Sequence, residues 1–264
     1  MNRIDKTFES CRNEDRKALV MFVSAGDPNL EVSERLIAEI AAAGADIIEL
    51  GVPFSDPMAD GPSIQAASQR ALAAGTTLQG ILDMVRRLRL RIDTPLVLFS
   101  YYNVLLQYGI EKLATASAEV GIDGWLVVDV PAEEAEEVRP HIEPHGLQWI
   151  TLLAPTTPPR RQADLLAKAS GFAYYITVTG VTGARDRLPE NLVADLDAVR
   201  ALSPVPVVAG FGISSPEMAK AVGAHADGIV VGSALINTLA EAYDPETGIA
   251  QCSEFVRSLA TALR

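Results

Sequence analysis

Short apolar runs recur along the chain, and after each one apolar residues return at helical spacing among charged positions. The runs predict strands near 19–24, 46–50, 96–100, 124–128, 148–153, 173–177, 206–209 and 228–231. The intervening periodicity predicts helices near 30–43, 62–90 (with a break at Gly75), 109–120, 132–143, 159–169, 189–202 and 215–223. Further helical stretches run from 233 to the C-terminus. A run such as Ile47-Ile48 is apolar on both faces, as in a parallel strand covered on both sides. Strands alternating with helices imply a parallel sheet, and eight such units predict a closed (β/α)8 barrel. Residues 2–13 would add a helix across the barrel bottom.

A local repetition supports this reading. Gly44-Ala45-Asp46, Gly121-Ile122-Asp123-Gly124 and Ala224-His225-Ala226-Asp227-Gly228 each precede an apolar strand. A glycine just past a helix adopts the left-handed conformation at little cost, and the polar residue turns the chain inward. No linker or composition break divides the sequence, so residues 1–264 are expected to form one catalytic domain.

Composition narrows the class. Hydrophobic residues make up 48% of the chain and aromatics only 6%, which fits a well-filled aliphatic core. No apolar run approaches the roughly 18 residues that span a bilayer. The charged start, with no apolar signal core, predicts a cytoplasmic protein. Cys11 and Cys252 stand near opposite ends, which fits a reducing compartment and neither a disulfide framework nor a metal cluster. A net charge of −12 disfavours nucleic acid and anionic membranes as partners. It also means that a phosphorylated substrate would have to be held by local donors.

The candidate chemistry is concentrated between Asp46 and Pro62. Glu49 appears where a buried strand should still be dry, and a loop stiffened by Pro53, Pro57 and Pro62 carries Asp56 and Asp60. Burying an ionisable group is costly unless it is paired or neutralised. Two acids in one pocket can supply a proton donor and an acceptor near neutral pH. Each acid also has a plainer reading. Glu49 could pair with an arginine or cap a helix, and Ser-Asp-Pro and Asp-Gly-Pro are ordinary turn formers. The turn reading is preferred for Asp56. With Phe22, Tyr101 and Tyr174 offering a flat apolar pocket, the functional reading is preferred for Glu49 and Asp60.

In a barrel the loops after the strands form the active face. Gly180-Val181-Thr182-Gly183, Gly210-Phe211-Gly212 and Gly232-Ser233 all fall there, and the last opens a helix. Glycines admit backbone N–H groups to an anion and a helix N-terminus adds its dipole, so these three motifs predict a phosphate cradle. The lysines, at 6, 17, 112, 168 and 220, lie in predicted helices or the N-terminal segment, which argues against a Schiff-base aldolase. His141 and His145 fall on an outer helix and His225 on the opposite barrel face, so no metal is expected. Acid–base chemistry by carboxylates remains.

In these motifs the chain resembles the tryptophan synthase alpha subunit family. The resemblance rests on Glu49 through Pro57, Ala59-Asp60-Gly61-Pro62, Ser24-Ala25-Gly26-Asp27-Pro28 and Gly180 through Arg185. It continues in Gly210-Phe211-Gly212-Ile213-Ser214 and Val231-Gly232-Ser233-Ala234, in family order over essentially the whole chain. It implies a TIM barrel that cleaves indole-3-glycerol phosphate to indole and glyceraldehyde 3-phosphate. By resemblance, Glu49 moves both protons and an ionised Asp60 holds the indole N–H. Phe22, Ile64, Tyr101 and Tyr174 would line the indole pocket, and Gly183, Gly212, Gly232 and Ser233 would hold the phosphate. Thr182 would lie on a loop that closes over the substrate and touches Asp60. The family implies an α2β2 complex whose beta subunit carries pyridoxal phosphate, docked on loop 53–60 and the segment after Tyr101. Met21 and Val104 stand where the family usually has prolines, and Met58 replaces a usual leucine. Competing readings are a free-standing indole-3-glycerol phosphate lyase, a weakly active scaffold that activates the beta subunit, and a sugar-phosphate isomerase.

Overall fold

The computed structural model describes residues 1–131, 133–176 and 190–264. Among the described residues nine strands, all parallel, form one sheet: β1 (Ala18–Ser24), β2 (Ile47–Gly51), β3 (Leu96–Ser100), β4 (Gly124–Val127), β5 (Gln148–Trp149), β6 (Thr151–Leu153), β7 (Ala173–Ile176), β8 (Val207–Gly210) and β9 (Gly228–Val231). Their order is β5-β4-β3-β2-β1-β9-β8-β7-β6. Only Ile150 separates β5 from β6, and its amide bonds the Trp125 carbonyl at 2.9 Å. The segment 148–153 therefore pairs with β4 at one end and β7 at the other, and the sheet closes on itself as a TIM barrel with the expected eight strand positions.

Alternation along each strand sorts the core into two parts. Inside the barrel, Val20, Ile47, Val97, Leu126, Val208 and Val230 pack together with Ile4, Phe8 and Cys11 of the helix Arg3–Asn13. That helix seals the lower end as predicted, with the Phe8 and Phe172 rings 5.8 Å apart. Asn2 starts it with a capping box shared with Asp5. The outward residues, such as Leu19, Ile48, Leu98 and Trp125, pack beneath the surrounding helices.

The repeated aspartates have a structural task at the lower face. Asp46 accepts the Leu19 amide at 2.9 Å and, through both carboxylate oxygens, Arg16 Nη1 at 2.8 Å. Asp123 accepts the Leu96 amide at 2.9 Å and Arg89 at 2.8 Å. Asp227 accepts the Val207 amide at 2.9 Å and Arg200 at 3.0 Å. In each case the residue before one strand ties down the start of its neighbour, and an arginine compensates the charge.

The 62–90 pattern forms two helices, Pro62–Ala73 and Leu78–Leu88, with the expected break at Gly75, which takes φ +79°. The helices depart from the sequence reading in two places. The helix expected over 132–143 is broken into a 3-10 turn Glu134–Glu137, a short helix Arg139–Ile142 and a 3-10 turn Glu143–His145. Pro140 and Pro144 each remove an amide from this stretch, so no long ladder can form. A helix absent from the sequence reading, Tyr102–Tyr108, follows β3, and Gly109 at φ +92° separates it from Ile110–Val120. Only Leu105 of that helix is fully buried, so its apolar periodicity is faint. No helix among the described residues is long and apolar enough to cross a membrane.

Candidate active site

Glu49 occupies an inward position of β2, in register with Phe22 of β1 and Val97 of β3. It has no exposed surface, and among the described residues neither carboxyl oxygen has a hydrogen-bond partner. Burial alone pushes its pKa up to about 8. An ion is disfavoured in such a site, so the group is mainly protonated at neutral pH yet close enough to titration to give and retake a proton.

Asp60 lies on the loop between β2 and the helix Pro62–Ala73 and is half-buried. Burial raises its pKa, while a hydrogen bond from the Tyr101 hydroxyl acts in the opposite direction. Tyr101, at the end of β3, is 2% exposed, and its oxygen accepts the Ala59 amide at 3.0 Å. One phenol therefore holds two consecutive residues of the acid loop. Burial, together with the neighbouring Asp60 charge, pushes the phenol up to about 12, so it remains a donor. The Phe54 ring lies 5.1 Å from the Tyr101 ring, and Gln65 donates to the Asp60 carbonyl at 2.8 Å. Asp56 is exposed and accepts the hydroxyl of adjacent Ser55, as a turn residue would.

The remaining wall is aromatic. Phe22 meets Phe99 edge-on, with centroids 5.0 Å apart. Phe22 also packs with Ala67 and Ile236 against half-buried Ile64. Phe22 lies so close to Gly51 that a Cβ there would fall 2.4 Å from the ring. Tyr174, on the inward face of β7, is pushed upward in pKa by burial and then by Glu49. A Cβ on Gly210 would fall 2.6 Å from its hydroxyl, so Tyr174 lies between the glutamate and the glycine rim.

On that rim, Gly210 ends β8 and exposed Gly212 takes φ +63°. Gly232 precedes the helix Ser233–Glu241 without a capping side chain, and the first N–H groups of any helix lack intrahelical partners. Phe211 packs half-buried against the outer core. Thr182 and Gly183, with the rest of the motif from Gly180 to Arg185, lie outside the described residues. Two further residues were missed by the sequence reading. Phe99 follows from strict alternation with Val97. Ser24, the next inward position after Phe22, has a buried hydroxyl without a hydrogen-bond partner among the described residues.

Among the described residues no group of three or more His, Cys, Asp or Glu is placed to hold a metal. His225 faces Asp197 at 3.2 Å, Lys168 pairs with Glu136 at 2.9 Å, and Lys112 lies over the Tyr108 ring at 4.6 Å.

Fold and site together define a (β/α)8-barrel enzyme with a buried carboxyl beneath an aromatic wall. The family model described as tryptophan synthase alpha chain matches residues 8–264. The tryptophan synthase alpha chain of Geobacter sulfurreducens is 50% identical over 263 residues, covering 100% of this chain and 99% of that one. The crystal structure of the alpha chain from Legionella pneumophila superposes with a TM-score of 0.91 at 38% identity, covering 100% and 97%. A structure of Mycobacterium tuberculosis tryptophan synthase gives 0.91 at 33% identity, covering 100% and 98%. The chain belongs to the tryptophan synthase alpha chain family.

Proposed function

We propose that this chain cleaves indole-3-glycerol phosphate to indole and glyceraldehyde 3-phosphate, a carbon–carbon lyase step in tryptophan biosynthesis. The observation that carries the reading is the fully buried Glu49, its oxygens unpartnered among the described residues and its pKa near 8. In the forward direction neutral Glu49 protonates indole C3, which makes the ring an electron sink. The resulting carboxylate takes the proton from the hydroxyl on the adjacent glycerol carbon. The bond between C3 and that carbon breaks, its electrons return to the ring, and the hydroxyl oxygen becomes the aldehyde. Glu49 ends as it began, so the proton count closes.

Asp60 accepts the indole N–H and stabilises the positive charge that develops on nitrogen. That task requires it ionised, and the hydrogen bond from Tyr101 favours the ion. Phe22, Ile64, Tyr101 and Tyr174 enclose the ring, while Gly210, Gly212, Gly232 and Ser233 provide the phosphate cradle.

The partner in this reading is a beta subunit carrying pyridoxal phosphate, assembled as α2β2. Met58 at 84% and Leu106 at 54% exposure supply apolar surface on the two segments expected to dock. Passing indole directly suits an apolar intermediate that would otherwise escape. The chain acts as one catalytic domain in the cytoplasm, with no nucleic-acid or membrane partner. Family membership does not favour the free-standing lyase or scaffold readings. The test is an indole-release assay on the pure chain, repeated with a beta subunit. The chain should release indole and accelerate with the partner; no release under either condition would overturn the lyase reading.

A further inference from the structure

We infer that the ion pair between Asp27 and Arg70 is a positioning device that sets the acid loop from the far end of its helix. The inference rests on the lyase reading above, and it concerns residues that touch neither substrate nor the reacting atoms. Arg70 Nε donates to Asp27 Oδ1 at 2.7 Å and Nη2 to Oδ2 at 2.8 Å, a two-pronged contact. The Asp27 side chain is 4% exposed and that of Arg70 39%, so the carboxylate end is the fixed one.

Asp27 sits in a turn anchored directly above β1, its amide bonded to the Ser24 carbonyl at 3.1 Å. The same turn is locked a second time. Gly26 takes φ +87°, and a Cβ there would fall 2.1 Å from the Thr76 hydroxyl oxygen, just past the helix end. The turn thus meets the last turns of Pro62–Ala73 at Arg70 and the segment just beyond the helix at Thr76.

The opposite end of this helix carries the chemistry. Asp60 precedes it by two residues and its carbonyl is held by Gln65. Ile64 and Ala67 pack toward Phe22. Gly61 caps the helix with no side-chain hydrogen bond, and the loop before it is held from β3 by Tyr101, so the two ends are positioned by separate contacts. A helix rises about 1.5 Å per residue, so Arg70 lies roughly 9 Å along the axis from Ile64. A rigid rod of that length transmits a shift at Arg70 to Ile64 and Asp60. The bond from the Ala59 amide to Tyr101 reports whether the loop has moved.

The test uses the full-length chain with Asp27→Asn and, at the more exposed end, Arg70→Lys, which keeps the charge but not the two-pronged geometry. The turnover number should fall roughly 10- to 100-fold, as a misplacement near 1 Å costs, and KM should change less. The acidic limb of the kcat/KM profile should shift as the burial of Asp60 and its contact with Tyr101 change. Hydrogen exchange at amides 59–65 should accelerate while β2 and β3 keep wild-type protection. This measurement stands even if the wild-type chain fails to release indole, an outcome that would sink the lyase reading instead. Folded variants with wild-type turnover, acidic limb and exchange at 59–65 would overturn the inference. Should Asp27→Asn not fold, Arg70→Lys decides alone.

Discussion

The Tyr101 hydroxyl accepts the amide of Ala59 at 3.0 Å and stands close enough to the carboxyl of Asp60, the next residue, to favour its ion. A single phenol at the end of β3 thereby fixes both the place and the charge state of an acid on a loop after β2. Tyr101→Phe removes the donor and leaves the ring. Asp60 then keeps the burial that raises its pKa and loses the bond that lowers it. If ionised Asp60 is required, the acidic limb of kcat/KM moves to higher pH in this variant. Asp60→Asn should lose most activity at every pH, since positioned acids and bases typically contribute ~10²–10⁴-fold. Profiles of both variants beside the wild type check the assignment, and an unmoved limb in Tyr101→Phe removes Asp60 from it.

Glu49→Gln keeps the shape of the side chain and cannot trade protons. Indole formation should fall to background while an unreactive substrate analogue still binds. A stability effect accompanies the loss. The folded pKa, near 8, lies above the ordinary 4.5, so between these values the folded protein holds a proton that the unfolded chain releases. Wild-type stability therefore declines as pH rises through this window, by up to about 1.4 kcal/mol per pH unit, and levels off above it. Glutamine carries no such linkage. Denaturant midpoints from pH 5 to 8.5 should show the variant gaining on the wild type as pH rises; parallel curves would contradict a buried, proton-holding Glu49.

Much of this was legible in the sequence because strand parity and chemistry coincide. Ile47, Glu49 and Gly51 share the inward face, so an acid amid a dry run pointed into the barrel. The helix Tyr102–Tyr108 stayed hidden because it buries little and its first amide is held by Asp129, from another loop, at 2.8 Å. Such a tertiary cap leaves no local signature. Phe99 was masked because an aromatic in an apolar strand looks like ordinary core. The Asp27–Arg70 pair joins positions whose spacing in the chain has no period to read.

The aspartates at the barrel bottom should separate stability from activity. Asp123 faces Arg89, whose side chain is 10% exposed, and also holds the Leu96 amide. Asp123→Ala leaves a buried guanidinium without its counter-ion, a loss costing about 3–5 kcal/mol. Equilibrium unfolding should register that loss, while the folded fraction retains wild-type kcat and KM. A large fall in kcat with unchanged stability would mean that the lower face communicates with the site.

Gly212→Asp tests the phosphate rim through two independent effects. The position takes φ +63°, a conformation that side chains rarely adopt, so the turn after β8 is strained by any substitution. The added carboxylate also places negative charge where an anion should bind, on a chain already at −12. Glycerol phosphate affinity should fall by at least roughly tenfold, equivalent to about 1.4 kcal/mol. Gly212→Ala separates the two effects, since it carries the strain without the charge. Titration calorimetry should rank wild type above alanine and alanine above aspartate, and the gap between the two variants should narrow at high salt as the charge is screened. Equal affinity in all three proteins would move the phosphate away from this turn.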